Sequence, residues 1–362
     1  MNDMTRAPRP APVAGTLRHP GELVAEGLAA PASLAALEEV AARYAVAITP
    51  AMAALIDPAD PADPIARQFV PDPAELATAP EERADPIGDG VHQVTPGLIH
   101  RYPDRVLLKF VSVCAVYCRF CFRRETVGHD GAGILSDADL AAALGYIRGH
   151  DEVWEVVVSG GDPLVASPRR IAALMRGLAT IPHVKVIRFH TRVPVVAPER
   201  VTRELIAALK AADKTVWVAV HANHARELAP AARQALARLA EAGIPLVAQT
   251  VLLAGINDDP AALGALFRGL VECRVKPYYL HHGDLAPGTA HFRTGIERGQ
   301  ALMRALRGTY SGLCQPTYVL DIPGGHGKVP IGPGFVHAAS DGRIIVEDSA
   351  GGLHAYPPAA AD

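Results

Sequence analysis

Six apolar, β-rich runs alternate with alanine- and leucine-rich helical stretches through the middle of the chain, and this alternation restricts the fold more than any other feature. The predicted strands span residues 106–113, 154–159, 184–190, 215–221, 245–253 and 276–280. The predicted helices between them span residues 137–149, 168–179, 198–212, 230–242 and 260–272. Four of these helices begin with proline, which is favoured at the first helical position. Strands that alternate with helices indicate parallel pairing, and six such units are typical of an incomplete α/β barrel.

The flanking segments differ from this middle region. Alanine, leucine and glutamate recur at helical spacing over residues 34–52, with Ser33 as the predicted N-cap. A loop rich in proline and aspartate follows at residues 57–73. These patterns predict three parts, namely an N-terminal tail and helical extension (1–95), a partial barrel (96–285) and a C-terminal segment (286–362).

Composition excludes several classes of function. The net charge is -3 and 49% of the residues are hydrophobic, which indicates neither a surface for nucleic acid nor a disordered acidic chain. The N-terminus lacks the apolar segment of a secretory signal, and no stretch approaches the roughly 18 apolar residues of a membrane span. The cysteine usage fits a reducing compartment. We expect a cytoplasmic protein that acts on a small molecule, without nucleic-acid or membrane partners.

Three of the five cysteines, Cys114, Cys118 and Cys121, lie in one short run. Structural zinc usually needs four nitrogen or sulfur ligands, often arranged as pairs, and the nearby His129 stands alone. A cubane iron–sulfur cluster is usually held by four thiolates, so three thiolates leave one iron open to a substrate or cofactor. The spacing therefore favours a [4Fe–4S] cluster with an open iron over a zinc site or a structural thiol cluster.

Polar residues follow the predicted strands at their carboxyl ends, where the loops of such a barrel converge. Cys114 follows the first strand, the Gly160-Gly161-Asp162 turn follows the second, Arg192 follows the third and His221 ends the fourth. A lone histidine or a glycine turn is more often structural than functional. Their shared position at the strand ends favours one common site.

The run Val113-Cys-Ala-Val-Tyr-Cys-Arg-Phe-Cys-Phe-Arg-Arg124 resembles the radical S-adenosylmethionine superfamily. In that superfamily the open iron chelates the methionine moiety, and electron transfer breaks a carbon–sulfur bond. The resemblance implies an electron donor such as flavodoxin or ferredoxin. It also implies contacts to S-adenosylmethionine from Gly160, Gly161, Asp162, His221 and Gln249.

A narrower resemblance, to the lysine 2,3-aminomutase family, runs from His100 to Pro330. The segments that carry it include Ser159-Gly-Gly-Asp-Pro163, Thr191-Arg-Val-Pro-Val195, Lys276-Pro-Tyr-Tyr279, Gly283-Asp-Leu285 and Asp321-Ile-Pro-Gly-Gly-His-Gly-Lys328. The resemblance implies an α/β fold, a partial (β/α)6 TIM-like barrel of the radical SAM type. An N-terminal helical extension and a C-terminal cofactor-binding segment would flank this barrel.

The same resemblance assigns roles at the second cofactor and the substrate. Lys328 would form the resting Schiff base with pyridoxal 5′-phosphate, and Arg123 would clamp the substrate α-carboxylate, for which a guanidinium is suited. Asp284 and Asp321 match the carboxylates that receive a distal ammonium. Two acids favour lysine over glutamate, whose own carboxylate they would repel. The residues that resemble the family's phosphate-binding group are Arg101, Tyr102, Arg105 and Arg192.

The resemblance implies an isomerase, an intramolecular aminotransferase, that converts L-lysine to β-lysine through a 5′-deoxyadenosyl radical. Two alternatives stay open. One is an aminomutase that acts on lysine destined for, or attached to, a translation elongation factor. The other is a non-catalytic iron–sulfur scaffold, because fold alone does not fix function.

The sequence departs from the family at its structural zinc site. Longer members bind zinc through C-terminal cysteines and one barrel cysteine. Asp259 occupies the place of that barrel cysteine, and no cysteine follows Cys314. We therefore expect a short form without the zinc-binding tail and without structural zinc. Assembly into a homo-oligomer is left open.

Overall fold

A ten-stranded sheet, whose strands are ordered as they occur in the chain, forms the centre of the protein. The structure is a computed structural model that describes residues 15–128, 133–339 and 343–357, so His129 lies outside the described residues. The strands of the sheet are Gln93–Thr95 (β1), Leu98–Tyr102 (β2), Arg105–Val111 (β3), Glu155–Gly160 (β4), Val186–Thr191 (β5), Thr215–His221 (β6), Leu246–Val251 (β7), Val275–His281 (β8), Thr317–Ile322 (β9) and Gly327–Pro330 (β10).

Strands β3 to β9 are parallel, whereas β1, β2 and β10 pair with their neighbours in antiparallel fashion. The six predicted strands correspond to β3–β8. The predicted α/β class and partial TIM-like barrel are therefore confirmed. Strand β9 is a seventh parallel strand that the sequence pattern did not predict, because its short run ends in the polar Asp321 and has no helical stretch typical of a βα unit after it.

Eleven α-helices lie in the described part of the chain. They are Pro20–Ala25 (α1), Leu34–Arg43 (α2), Pro50–Ala53 (α3), Ala66–Phe69 (α4), Asp137–Arg148 (α5), Pro168–Ala179 (α6), Val193–Val196 (α7), Arg203–Leu209 (α8), Pro230–Glu241 (α9), Pro260–Glu272 (α10) and Ile296–Thr309 (α11). None of them is long and apolar enough to cross a membrane.

Side-chain caps fix where several of these helices begin. Ser136, Ser167, Thr202 and Asp259 each accept a hydrogen bond from a backbone N–H in the first turn of the helix that follows, which satisfies a donor that the helix leaves open. The Asp259 carboxylate accepts from the Ala262 N–H at 2.9 Å. Asp259 thus has a structural role as the cap of α10.

Two helix predictions were wrong in their bounds. The predicted helix 34–52 ends at Arg43, because Tyr44 is extended and Ile48 pairs with Leu17. Thr49, which precedes Pro50, is disfavoured in a helix. Ser33 does not cap α2, since its backbone is helical and its hydroxyl donates to the Ala30 carbonyl oxygen at 2.7 Å.

The predicted helix 198–212 is likewise divided. A 3₁₀ turn spans Pro198–Arg200, and α8 begins only after the Thr202 cap. A second sheet of three antiparallel strands, Val336–Ala338 (β11), Ile344–Glu347 (β12) and Leu353–Tyr356 (β13), lies near the C-terminus. The ten-stranded sheet includes strands on both sides of the proposed boundaries at 95 and 285, and the division into three parts stays a prediction.

The two faces of the parallel strands have different neighbours, because side chains alternate along a strand. Val156, Val158, Ile187 and Phe189 are buried in the main hydrophobic core. The intervening residues, such as Val157 and His190, line a cavity. The residues at the carboxyl ends of β3–β9 therefore meet at one mouth.

Candidate active site

One cavity of about 630 Å³ occupies the inner face of the sheet. Every residue to which the sequence assigned a catalytic, metal, cofactor or substrate role lines it. These residues are Arg101, Tyr102, Arg105, Cys114, Cys118, Cys121, Arg123, Gly160, Gly161, Asp162, Arg192, His221, Gln249, Asp284, Asp321 and Lys328. The structure thus brings the whole predicted set together.

The three clustered cysteines lie on the loop after β3 and are free thiols. Burial raises the pKa of all three, that of Cys121 to about 11. Isolated thiolates in such surroundings are costly, whereas a bound metal centre compensates their charge. Three unpaired thiols on one cavity wall therefore fit a cluster that is held by three thiolates.

The glycine turn after β4 holds the start of the cysteine loop. The Gly161 N–H donates to the Val111 carbonyl oxygen at 2.6 Å, and the Asp162 N–H donates to that of Val113 at 3.0 Å. A Cβ atom at Gly161 would lie 2.3 Å from the Val113 carbonyl oxygen, closer than any real contact. The approach of the two backbones requires glycine here.

The Asp162 carboxylate is hydrogen-bonded by groups of the protein. Its carboxylate accepts hydrogen bonds from the Thr191 hydroxyl at 2.6 Å and from the N–H groups of Leu164, Arg192 and Val193 at 2.7 to 3.1 Å. Burial raises its pKa, and these donors act in the opposite direction. The side chain therefore fixes the loops after β4 and β5, and its predicted contact with S-adenosylmethionine stays a prediction.

Arg192 lies beside the cysteines. Its Nη1 donates to Cys118 Sγ at 2.7 Å, and its Nη2 donates to Gln68 Oε1 at 2.5 Å and to Glu227 Oε2 at 2.7 Å. The sequence analysis grouped Arg192 with the residues that bind the cofactor phosphate. In the structure its guanidinium instead contacts these three side chains. Gln68 and Glu227 are functional candidates that the sequence analysis missed.

Lys328 and Asp321 face each other because β9 and β10 form a hairpin in which these two residues are paired. The Lys328 ammonium contacts the Asp321 carboxylate and lies 3.3 Å from His281 Nδ1. Burial raises the pKa of Asp321, but the hydrogen bond to His281 and the Lys328 charge outweigh burial, so this pKa lies below its usual range. The Lys328 backbone N–H donates to the Tyr102 hydroxyl at 2.7 Å.

The predicted phosphate-binding residues on β2 and β3 lie near this hairpin. The Arg105 guanidinium stacks on the Tyr102 ring, 3.9 Å from its centroid. Arg101 donates to the Ile87 carbonyl oxygen at 2.7 Å and lies 4.0 Å from the Asp321 carboxylate. Arg101 Nε is buried and has no hydrogen-bond partner among the described residues.

Of the predicted substrate-binding residues, Arg123 has an ion-pair partner among the residues that the structure describes, whereas Asp284 does not. Arg123 forms an ion pair with Asp89 at 2.9 Å, and Asp89 also accepts from Arg101 at 3.4 Å. The Asp284 carboxylate has no hydrogen bond or ion pair within the described ranges. Burial, followed by the negative charge of Asp321, raises the pKa of Asp284 to about 7.

Three histidines line the cavity, and of these the sequence analysis assigned a role to His221. Burial lowers the pKa values of His190, His221 and His281, which keeps the rings neutral. His281 and Asp89 were not singled out. Alternation along β8 could have indicated His281, because Tyr279 and His281 share the cavity face, whereas nothing in the local pattern around Asp89 pointed to the cavity.

Comparison with known proteins identifies the family. The radical SAM superfamily model matches residues 108–263, and the lysine-2,3-aminomutase model matches residues 303–361. The chain is 42% identical to the L-lysine 2,3-aminomutase of Acetoanaerobium sticklandii, over 86% of this chain and 75% of the relative. It is 40% identical to that of Clostridium subterminale, over 86% and 74%.

A further relative is the glutamate 2,3-aminomutase of Clostridioides difficile, which is 37% identical over 83% of this chain and 70% of that protein. The radical SAM domain implies a [4Fe–4S] cluster and S-adenosylmethionine. The chain belongs to the lysine 2,3-aminomutase family of the radical S-adenosylmethionine superfamily.

Proposed function

We propose that this aminomutase converts L-lysine to β-lysine and uses pyridoxal 5′-phosphate bound at Lys328. The observation that carries the proposal is that Lys328, the three clustered cysteines and two carboxylates line one cavity. When bound, the cluster with S-adenosylmethionine supplies a carbon radical, and pyridoxal phosphate supplies an aldehyde for amines and a ring that spreads an unpaired electron.

The residues around Lys328 fit pyridoxal phosphate. The Lys328 amine lies in the cavity between a carboxylate and a neutral imidazole, so it has groups nearby that exchange its proton. Arg101 and Arg105 supply positive charge and paired donors for a phosphate. The unpartnered Arg101 Nε is a buried donor that a phosphate oxygen would satisfy. Tyr102 orients the Lys328 backbone.

Arg123 and the two carboxylates would bind the two ends of the substrate. Arg123 is held in the cavity by Asp89 and is suited to the α-carboxylate. Asp284 forms no ion pair in the described part of the chain, although Lys328 and Arg123 lower its pKa in part, and its raised pKa marks the cost of its buried charge. A distal ammonium would compensate that charge, whereas a second carboxylate would add to the repulsion. This charge pattern supports lysine as the substrate.

At the cysteine end, His221 and Gln249 are paired across β6 and β7. His221 Nε2 lies 3.1 Å from Asn223 Oδ1, which fixes the orientation of the ring. Phe120 packs edge-on against His221, with ring centroids 5.7 Å apart. We assign His221, Gln249 and the backbone of Gly160 and Gly161 to S-adenosylmethionine, with Phe120 limiting access of water to that end.

The proposal is tested by incubating the anaerobically reconstituted, pyridoxal-loaded protein with S-adenosylmethionine and a reductant. Free L-lysine, free L-glutamate and a purified lysine-bearing elongation factor serve as separate substrates, and β-amino acids are quantified by mass spectrometry. We expect β-lysine from free lysine and no β-glutamate. Formation of β-glutamate, or conversion of the protein substrate alone, would contradict the proposal. Absence of deoxyadenosine with every substrate would favour the non-catalytic scaffold.

A further inference from the structure

We propose that Arg192 positions the cysteine ligand Cys118 and raises the reduction potential of the cluster through an N–H···S hydrogen bond. The inference rests on the proposed role of Cys118 as a cluster ligand. It does not depend on the substrate or on pyridoxal phosphate, so it can be tested apart from the proposed aminomutase reaction.

Among the cavity arginines in the described part of the chain, Arg192 is the one that donates to a cysteine sulfur. Arg192 Nη1 lies 2.7 Å from Cys118 Sγ, whereas Arg123 is paired with Asp89 and Arg188 with Glu155. The guanidinium also lies over the rings of Phe69 and Phe120, 4.6 and 5.6 Å from their centroids. It is therefore held from its faces as well as from its edges.

The position of Arg192 is fixed at both ends. Its backbone N–H donates to Asp162 at 2.7 Å. Its Nη2 donates to Gln68 and Glu227, and both of these side chains are fully buried. Gln68 and Glu227 also bond to each other at 3.1 Å. A guanidinium fixed by this network has little freedom to turn toward a phosphate elsewhere in the cavity.

The direction of the effect follows from charge. Reduction adds one electron to the cluster and breaks no bond, so any group that stabilises added negative charge favours the reduced state. Hydrogen bonds to cluster sulfurs are among the features that set such potentials, and a charged donor acts more strongly at a buried site. Arg192 should therefore raise the potential, while the negative charge of Glu227 opposes part of that effect.

Because Arg192 and Glu227 carry opposite charges, removing each of them should shift the reduction potential of the cluster in opposite directions. Glu227→Gln leaves the Arg192 charge uncompensated, so the potential should rise above that of the wild-type protein. Arg192→Met combined with Glu227→Gln removes the donor and both charges, so the potential should fall below that of Glu227→Gln alone. The matched control is Arg188→Met combined with Glu155→Gln, which removes another cavity arginine with its partner but, among the described residues, no hydrogen bond to sulfur.

The test is a dithionite titration of the anaerobically reconstituted proteins, monitored by electron paramagnetic resonance of the reduced cluster. We expect at least a tenfold lower ratio of reduced to oxidised cluster in the Arg192 double variant than in Glu227→Gln at equal ambient potential, or about 59 mV for one electron. The control should stay near the wild-type value. Equal potentials for the double variant and Glu227→Gln would overturn the proposal. Should the double variant fail to bind iron, absence of a rise in Glu227→Gln would overturn it.

Discussion

At the scale of single residues, Asp284 is the group whose state depends most on what the cavity holds. Its pKa of about 7 reflects burial and the nearby Asp321 charge. Asp321 is paired with Lys328 and lies 3.8 Å from the neutral His281 ring, but Asp284 has no such partner in the described part of the chain. Its ionisation should therefore be coupled to the binding of a cation.

Lysine binding should accordingly strengthen with pH. A distal ammonium binds the ionised Asp284, which predominates above pH 7, so affinity for lysine should rise from pH 6 to pH 8 and level off above. Norleucine lacks the distal ammonium and serves to subtract the titration of the α-amine. Calorimetry on the reconstituted protein should show the lysine-to-norleucine affinity ratio rising several-fold. A ratio that does not change with pH, or that still changes in Asp284→Asn, would contradict this assignment.

The same carboxylate should limit the stability of the ligand-free protein. The pKa in the folded protein, about 7, is raised above an unfolded value of about 3.9. Between these values the folded state holds a proton that the unfolded state has lost, so stability falls as pH rises from 4 to 7. Asp284→Asn should stabilise the protein at pH 8, by on the order of 2 kcal/mol after allowance for solvent in the cavity.

At pH 4 the variant and the wild-type protein should have the same melting temperature. Thermal denaturation at both pH values measures the difference. A variant less stable than the wild-type protein at pH 8 would show that Asp284 is compensated in the ligand-free state.

At the scale of elements, the chain crossing between β3 and β4 sets the geometry of the cysteine loop. Gly160 has φ of +110°, and a Cβ atom there would lie 2.2 Å from the Val111 carbonyl oxygen. Neither the Gly160 Cα atom nor the Val111 carbonyl oxygen can move freely at this crossing, because both are backbone atoms. The loop that begins at Cys114 is therefore fixed by the turn one βα unit later.

Gly161→Ala should disturb this crossing. The added methyl group would meet the Val113 carbonyl oxygen at 2.3 Å, so we expect a loss of about 1–3 kcal/mol in the free energy of unfolding and a several-fold loss of bound iron. Urea denaturation and iron analysis measure the two effects. Gly145→Ala is the matched control, because Gly145 lies in α5 with no atom near its Cβ position. The control should gain about 0.5–1 kcal/mol, and normal iron content in Gly161→Ala would contradict the prediction.

Whether a feature of the fold or of the candidate site could be predicted from the sequence depends on how far apart in sequence the interacting residues lie. The parallel strands β3–β8 were predictable because each is a local apolar run. The hairpin β9–β10 was not, because β9 is recognisable as a strand only once it pairs with β8, and β10 only once it pairs with β9. The resemblance to the family assigned Arg192 to the residues that bind the cofactor phosphate. Its partners in the structure, Gln68 and Cys118, are 124 and 74 residues away in sequence. No local pattern contains such pairs.

At the scale of the whole molecule, the N-terminal extension contributes side chains to the candidate active site and to the residues around it. It supplies Gln68 to the Arg192 network, Asp89 to Arg123 and Glu75 to the cysteine loop. The fully buried Glu75 carboxylate contacts both Arg119, which directly follows Cys118, and Arg124, which lies three residues after Cys121. The extension therefore holds the cysteine loop in place through Glu75.

Removal of the Glu75 charge should be costly. Glu75→Gln leaves two buried arginines without their shared counter-ion, and breaking a buried pair typically costs about 3–5 kcal/mol. The control is Glu125→Gln, whose partner Arg43 lies 3.8 Å away near the surface, where such pairs contribute about 1 kcal/mol or less. Urea denaturation of both variants compares the two losses. Equal losses would show that the extension does not stabilise the loop through Glu75.

The central claim is that one cavity unites the cluster end, where the radical arises, with an amino acid held at Lys328. The most direct test uses L-lysine that carries deuterium at C3, with mass spectrometry of deoxyadenosine and S-adenosylmethionine after turnover. The account predicts deuterium in the adenosyl group with the wild-type protein and none with Lys328→Ala, which keeps all three cysteines. An adenosyl group free of deuterium while β-lysine forms, or equal labelling in the Lys328→Ala protein, would contradict the claim.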